Sequence, residues 1–523
     1  MFIDEAFFGI ARTGTMDGGI RYPFIFTSGP GGSVKRTGDG LAFSSGDRIP
    51  LETVYPYKHD LNVFPVGDNI VMLPEGLQLA QRPRKLLEAI YAIRKEYGLS
   101  KLIYVQGLSD PYLLPALVYA GVSLFDDSTL RMESLAGMKF TELGYTQSHE
   151  NPFQENLQFT QNILSLLSLS IRNGTLREVV EKFQFSSKAS EMIRIMDSTY
   201  LKESEEAFPR RTPYIKANSL ESLRRPDIFR YRQYISDIYT KPPGRDIALL
   251  IPCSARKPYS ESKSHKRIIE ALGPYRSALH ELIVTSPVGL VPRELESTYP
   301  ARFYDIPVIG DWYEDERVMI KKILSDYFSR NSYSKIFTFV GQDLEFIGEV
   351  LPDDTVSIQW NDDRDASITR LRDGIAQYMR DQGSIAPKPR KIEPYVQIAS
   401  YQFGDWIREY VEKCKIVRNY NSEMLTMDGK PFLVYNPALG KFTINKASGS
   451  IFLDHNKFVV EIDDFKPTAS VYAVGVVSAT EDIRQEDEVV LAHSGKVMGV
   501  GVAKMPGIGM VSLKKGVAVK VRN

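Results

Sequence analysis

Cys253 stands in "PCSARKPYSESKSH" (252–265), directly after the apolar run "DIALLI". Ser254, Lys257, Tyr259, Ser262 and His265 follow it within twelve residues. These side chains are a set for adding a nucleophile to an electrophilic carbon: a thiol that attacks, Lys257 or His265 to move a proton, and hydroxyls to orient a developing anion. Arg256, Lys257 and His265 place positive charge near the thiol in sequence, and a helix beginning at "HKRIIEAL" directs its N-terminal amides there. Both features predict a thiol pKa below the value of about 8.5 for a free cysteine. A cysteine at a strand end is also commonly just a buried apolar side chain. The polar run around Cys253 favours chemistry. Arg293 and Glu294 in "VPRELES" are candidates for holding the carboxylate and ammonium of an amino-acid donor, with a solvated ion pair as the plain alternative. Cys414, in "WIREYVEKCKIV", reads as a helix-face core residue.

The elements around the motif are those of an α/β protein. "DIALLIP", "ELIVTSP" and "KIFTFVG" are apolar runs of strand length separated by helical stretches, the pattern of a parallel sheet. The strand–loop–helix at Cys253 lacks the glycines and spacing of a phosphate-binding loop. Nearer the N-terminus, "GIARTGTMDGGIRYPFIFTSGP" predicts hairpins, and "RPRKLLEAIYAIRKEYG" predicts a helix with Leu86, Leu87, Ile90 and Ile93 inward and Gly98 at its end. "KLIYVQG", "PYLLPALVYAG" and "VSLFD" continue as strand, helix and strand, and residues 153–240 read as helical. "SGPGGS" (28–33) reads as a loop and "SIAPKPRKIEP" (384–394) as a linker. From residue 442 the chain is β-rich with many glycine turns, the spacing of a small barrel. The expected domains are 1–240, 241–385, 386–441 and 442–523.

Composition excludes several classes. The chain has 523 residues, 43% hydrophobic and 25% charged, with 65 basic and 65 acidic side chains. No overall basic excess points to nucleic acid, so charge must be read locally. Residues 489–523 do carry a local excess: Lys496, Lys504, Lys514, Lys515, Lys520 and Arg522, with no acid among them. Such a face suits phosphate contacts, although lysines also protect strand edges. Two cysteines and six histidines exclude a disulfide framework and a cysteine-rich zinc site. No metal or cofactor is expected. No apolar run spans a membrane, and acids occupy the N-terminus where a signal peptide needs positive charge. A cytoplasmic location is expected.

Three resemblances follow from these stretches. "ASVYAVGV", "DIRQEDEVVL" and "GVGVAKM" resemble a PUA RNA-binding domain. "ARTGTMDGGIRYPFIF" and "VQGLSDPYLLPALVYAGVSLFDDST" resemble the tRNA-guanine transglycosylases. That resemblance implies a (β/α) barrel in which Asp126 matches the family's nucleophile and Gly107 a glycine of the base-holding loop. A barrel strand's C-terminal end is where such chemistry sits, but Asp126 and Asp127 could also simply cap a helix. The family's zinc cysteines are missing from "ELGYTQSHENPFQENLQF", where Glu155 replaces the histidine. The chain before Asp126 is too short for all the early barrel units. The barrel is therefore expected to be degenerate, with Asp126 and Gly107 binding a base rather than exchanging it.

The third resemblance covers nearly the whole chain. "PCSARKPYSESKSH" is similar to the PCSxxKPYxxSxxH motif of the archaeosine synthases, archaeal paralogues of the transglycosylases. "SPVGLVPRELESTYPARFYDIPVIGDW" and "YQFGDWIREYV" extend the likeness. It implies a transferase acting on tRNA that carries 7-cyano-7-deazaguanine in its D-loop, with lysine or a glutamine or ammonia nitrogen as donor and a radical S-adenosylmethionine enzyme as a possible partner. A homodimer is possible. The alternatives are a non-catalytic tRNA-binding subunit and residual base exchange through Asp126.

Overall fold

The computed structural model describes residues 2–27, 34–37, 40–43, 48–50, 64–66, 68–307, 309–360, 363–383, 391–418, 422–513 and 515–522. The loop 28–33, most of the linker at 384–390 and Lys514 lie outside the described residues. The chain forms two compact units, Met1–Pro213 with Gly449–Asn523, and Tyr214–Ser448.

The first unit opens with an antiparallel meander, Phe2–Phe8, Ala11–Met16 and Ile20–Tyr22, as the glycine turns predict. A five-stranded sheet follows in the order Phe24–Phe26, Val122–Asp126, Leu102–Val105, Ile70–Leu73 and Phe64–Val66. The first four strands are parallel and the last is antiparallel. Among the described residues, the ladder is an open row and does not close into a ring. Helix Pro83–Tyr97 buries the predicted Leu86, Leu87, Ile90 and Ile93. It ends at Gly98, whose φ of 54° is a left-handed value that glycine tolerates best. Helices Phe153–Asn173, Leu176–Lys182, Ser187–Met196 and Leu201–Ala207 follow.

The C-terminal part of this unit is a six-stranded sheet in the order Ser470–Tyr472, Val517–Arg522, Lys496–Ala503, Glu488–His493, Val459–Ile462 and Val476–Ala479. It is anchored to the helical region by Arg210 on Asp487 (2.7 Å) and by Arg484 on Glu205 (2.8 Å).

The second unit is built on a sheet ordered Gly289–Pro292, Leu279–Thr285, Ile247–Pro252, Lys335–Thr338 and Val356–Ser357, with only Gly289–Pro292 antiparallel. Its central strands are buried along almost their whole length, which is why they read as continuous apolar runs. Helices Lys263–Leu272, Glu314–Arg330 and Arg364–Asp381 accompany them. Residues 214–240 belong to this unit rather than to the first: Ile215–Lys216 pairs with Tyr304–Asp305, and Tyr231 is fully buried within it. A four-stranded antiparallel sheet, Lys415–Arg418 to Lys441–Ile444, with helix Glu393–Phe403, completes the unit. The strand Lys441–Ile444 hydrogen-bonds to Lys430–Asn436, so this part runs past residue 441. No helix among the described residues is long and apolar enough to cross a membrane.

Candidate active site

Strand Ile247–Pro252 is the central strand of its sheet. From it the chain passes first to the neighbour on one side, Leu279–Thr285, and later to the neighbour on the other, Lys335–Thr338. That reversal opens a crevice beyond the strands' carboxyl ends, where open α/β sheets bind ligands. Cys253 is the first residue beyond the central strand, held by its N–H donating to the Val284 carbonyl (3.1 Å). It lines a cavity of about 1450 Å³ together with Gly341, Asp343, Trp312 and Trp360. This cavity is the strongest candidate for a substrate site.

Beneath the thiol runs a chain of hydroxyls. Thr285 hydrogen-bonds to Cys253, the Thr285 and Tyr304 hydroxyls are 2.5 Å apart, and the Tyr304 and Tyr259 hydroxyls are 2.7 Å apart. Burial pushes the Cys253 thiol above its ordinary pKa, against the Thr285 hydrogen bond and the Lys257 charge. The expectation of a lowered pKa is thus overturned. Two of its three cations are occupied elsewhere: Arg256 pairs with Glu261 at the surface, and His265 is neutral. Of the three cations, Lys257 alone acts on the thiol. Its ammonium lies 3.9 Å from the Tyr304 ring centroid, and burial lowers its pKa while Cys253 and Asp305 raise it.

His265 does not face the cavity as a proton carrier. Burial and Arg293 lower its pKa to about 4. Because Arg293 can only donate, its 2.9 Å contact makes Nδ1 the acceptor, so Nε2–H donates to the Pro252 carbonyl at 3.0 Å. Both ring nitrogens are used to pin the strand end that presents Cys253. Ser262 accepts from the His265 N–H (3.2 Å) as the N-cap of helix Lys263–Leu272. Ser254 donates to the Arg256 carbonyl (3.0 Å). Both hydroxyls bond within the loop.

Arg293 and Glu294, expected to hold an amino-acid donor, are each engaged by side chains of the protein. Arg293 spends its guanidinium on Glu281 (2.6 Å), Glu296 (2.8 Å) and His265, and against the cost of burial Arg293 and Arg276 hold the Glu281 carboxyl down to about 2. Glu294 faces His280 (3.4 Å) and Tyr239 (3.5 Å) in the interior. Desolvation pushes its pKa up, but His280 overcomes this and leaves it lowered.

In the first unit, Asp126 and Gly107 do meet, but in each other. The Asp126 carboxylate accepts from the Gly107 N–H (2.6 Å), the Tyr104 hydroxyl (2.8 Å) and the Ser128 N–H (2.9 Å). With only 7% exposure, it ties a strand end to its loop. Glu155 pairs with Lys139 (2.9 Å). In the tail, Lys496 and Lys520 are exposed and Lys515 is half-buried. Lys504 and Arg522 pair with Glu486 and Glu488, acids just upstream of the stretch that looks purely basic.

Thr285, Tyr304, Trp312, Gly341, Asp343 and Trp360 were not singled out by the sequence. The available signal was positional: Thr285 ends strand "ELIVT", and "GQD" directly follows "KIFTFV".

A switch-point cavity with a strand-end thiol defines an α/β enzyme-like domain, coupled in one chain to an RNA-binding module. Residues 228–375 match DUF5591, a domain of unknown function, and residues 462–523 match the PUA domain. The chain is 51% identical over its full length, and that of its relative, to the archaeosine synthase subunit alpha of Thermoplasma acidophilum. It is 30% identical to that of Methanosarcina acetivorans, over 85% of this chain and 78% of the relative. A tRNA-guanine(15) transglycosylase of Methanobrevibacter smithii is 24% identical over 92% of this chain and 72% of its own. The chain belongs to the archaeosine synthase alpha-subunit family.

Proposed function

We propose that this chain acts in archaeosine formation on tRNA by adding a nitrogen nucleophile to the nitrile of 7-cyano-7-deazaguanine in the D-loop. The observation that carries the reading is Cys253, the thiol at the switch point of a cavity large enough for a nucleotide and an amine together. The Cys253 sulfur adds to the nitrile carbon, and one π pair moves to the nitrogen, which takes up the proton released by the thiol. The donor amine then attacks the same carbon, loses a proton, and expels the thiolate. Nitrile and amine give an amidine, with no oxidant or reductant consumed. Lys257, whose charge acts on the thiol, relays the proton, while Thr285 orients the sulfur. The PUA domain anchors the tRNA through Lys496, Lys515 and Lys520. Residues 1–213 of the first unit are the remnant of a transglycosylase barrel, its sheet left open, kept as scaffold. With lysine as donor, a radical S-adenosylmethionine partner would complete the product.

Mass spectrometry of nucleosides tests this. tRNA bearing 7-cyano-7-deazaguanine is incubated with the protein and lysine, glutamine or ammonia. Consumption of the nitrile with one donor, and a mass gain equal to that donor's amine, is expected. Tight tRNA binding without nitrile loss under any donor would make the chain a non-catalytic RNA-binding subunit.

A further inference from the structure

We infer that Asp343, Trp312 and Trp360 form the seat of the target base, the Asp343 carboxylate accepting the N1–H and 2-amino donors of its guanine-type edge. This rests on the reading that Cys253 attacks the nitrile of that base. Asp343 follows strand Lys335–Thr338, the neighbour of the strand that presents Cys253, so the two residues border one crevice. They are close enough for the Asp343 charge to act on the thiol. Its Oδ2 accepts from the Trp312 indole N–H at 3.3 Å, which fixes the carboxylate. Its Oδ1 accepts from no side chain or backbone group among the described residues.

Gly341 shows how tightly this wall is drawn. A Cβ there would lie 2.6 Å from Asp343 Oδ1 and 2.7 Å from Trp360 Nε1. Its φ of −85° is open to any residue, so space is what demands glycine. Trp360 is fixed by the Arg364 guanidinium, 4.0 Å from its ring centroid, and by the edge of Phe339. Fixed aromatic rings beside a carboxylate at a switch point suit a flat base turned out of its strand, which enzymes read by stacking and by hydrogen bonds to its edge. A donor ammonium would need the charge alone. The cavity of about 1450 Å³ exceeds the roughly 300–1,000 Å³ that houses a drug-sized ligand, leaving room for ribose, phosphate and amine beyond the base.

The test is equilibrium binding of two nucleosides to the full chain, 7-cyano-7-deazaguanosine and its analogue lacking the 2-amino group, followed by tryptophan fluorescence. Wild type and Cys253→Ser should both prefer the guanosine form by about tenfold or more, as expected for a paired base-edge contact. Asp343→Asn keeps an acceptor for Trp312 but presents one donor in place of an acceptor, so the preference should fall to about twofold or less. Gly341→Ala should lose it as well, and Trp312→Phe should lose most of the fluorescence change. Retention of the preference in Asp343→Asn would overturn the inference. So would absence of any preference in wild type, or weakened lysine binding with nucleoside preference unchanged. Failure of the covalent mechanism would show differently: Cys253→Ser would still form product while the preference remained.

Discussion

Asp126 and Cys253 both stand at strand ends with side chains capable of nucleophilic chemistry, and their surroundings are opposite. Asp126 receives three hydrogen bonds from its own loop and strand neighbours and is almost wholly covered. Cys253 stands at the edge of a large cavity, with one hydroxyl beneath it and one ammonium acting on it. A carboxylate satisfied from within stabilises its loop and has little left for a ligand. A thiol raised in pKa by burial is a weaker acid but a stronger nucleophile once ionised. A strand's carboxyl end marks a possible site, and how far the side chain there is already satisfied by its own neighbours sets what it can offer a ligand.

The largest effect should come from the thiol. Cys253→Ser should lower turnover by at least about 10³-fold, the scale on which loss of a nucleophile is felt, with tRNA affinity unchanged in filter binding. Near-normal turnover would erase the contrast between the two strand ends.

His265 pins the Cys253 strand through both ring nitrogens. Its native pKa of about 4 lies below the ordinary value of 6.5, so between these values the unfolded chain binds more protons. Stability of the second unit should therefore fall as pH drops from 6.5 to 4, by up to about 3 kcal/mol. Denaturant titrations followed by tryptophan fluorescence check this, since Trp312, Trp360 and Trp406 all lie in that unit. His265→Gln should flatten the dependence.

Lys257→Met should slow turnover by about 10- to 100-fold. Because the ammonium lowers the thiol's pKa, its loss should also move the pH midpoint of Cys253 alkylation by iodoacetamide upward. An unmoved midpoint would mean that Lys257 exerts no field on the sulfur. The smallest effect on chemistry should come from Asp126→Asn. It should destabilise the first unit by about 1–3 kcal/mol through its unpaired donors, measured by thermal melting. Turnover per folded molecule should change little.

Much of this was legible in the sequence. Apolar runs placed the central strands, and the periodicity of 83–97 gave its helix and buried face. The motif drew attention to Cys253, the residue that does line the cavity. The roles of its neighbours were not legible, because polar residues close in sequence are as often fastened to each other as aimed at a ligand. His265, Ser262 and Arg293 are all consumed in that way. Sequence proximity also misjudged charge: Arg256 and His265 lie near Cys253 in the chain, yet the charges that act on the thiol are those of Lys257 and Asp343. Thr285, Tyr304 and Asp343 reach the site from other strands and loops, and only the sheet order brings them together.

The most direct test is to trap the thiol on its substrate. Nitrile-bearing tRNA is mixed with the protein without an amine donor, and the mixture is resolved on a denaturing gel and by intact mass. A protein–tRNA adduct with the summed mass of both, reversed by added thiol and absent in Cys253→Ser but present in Asp126→Asn, is the predicted result. An adduct that survives Cys253→Ser and disappears in Asp126→Asn would place the nucleophile at the other strand end and contradict the account.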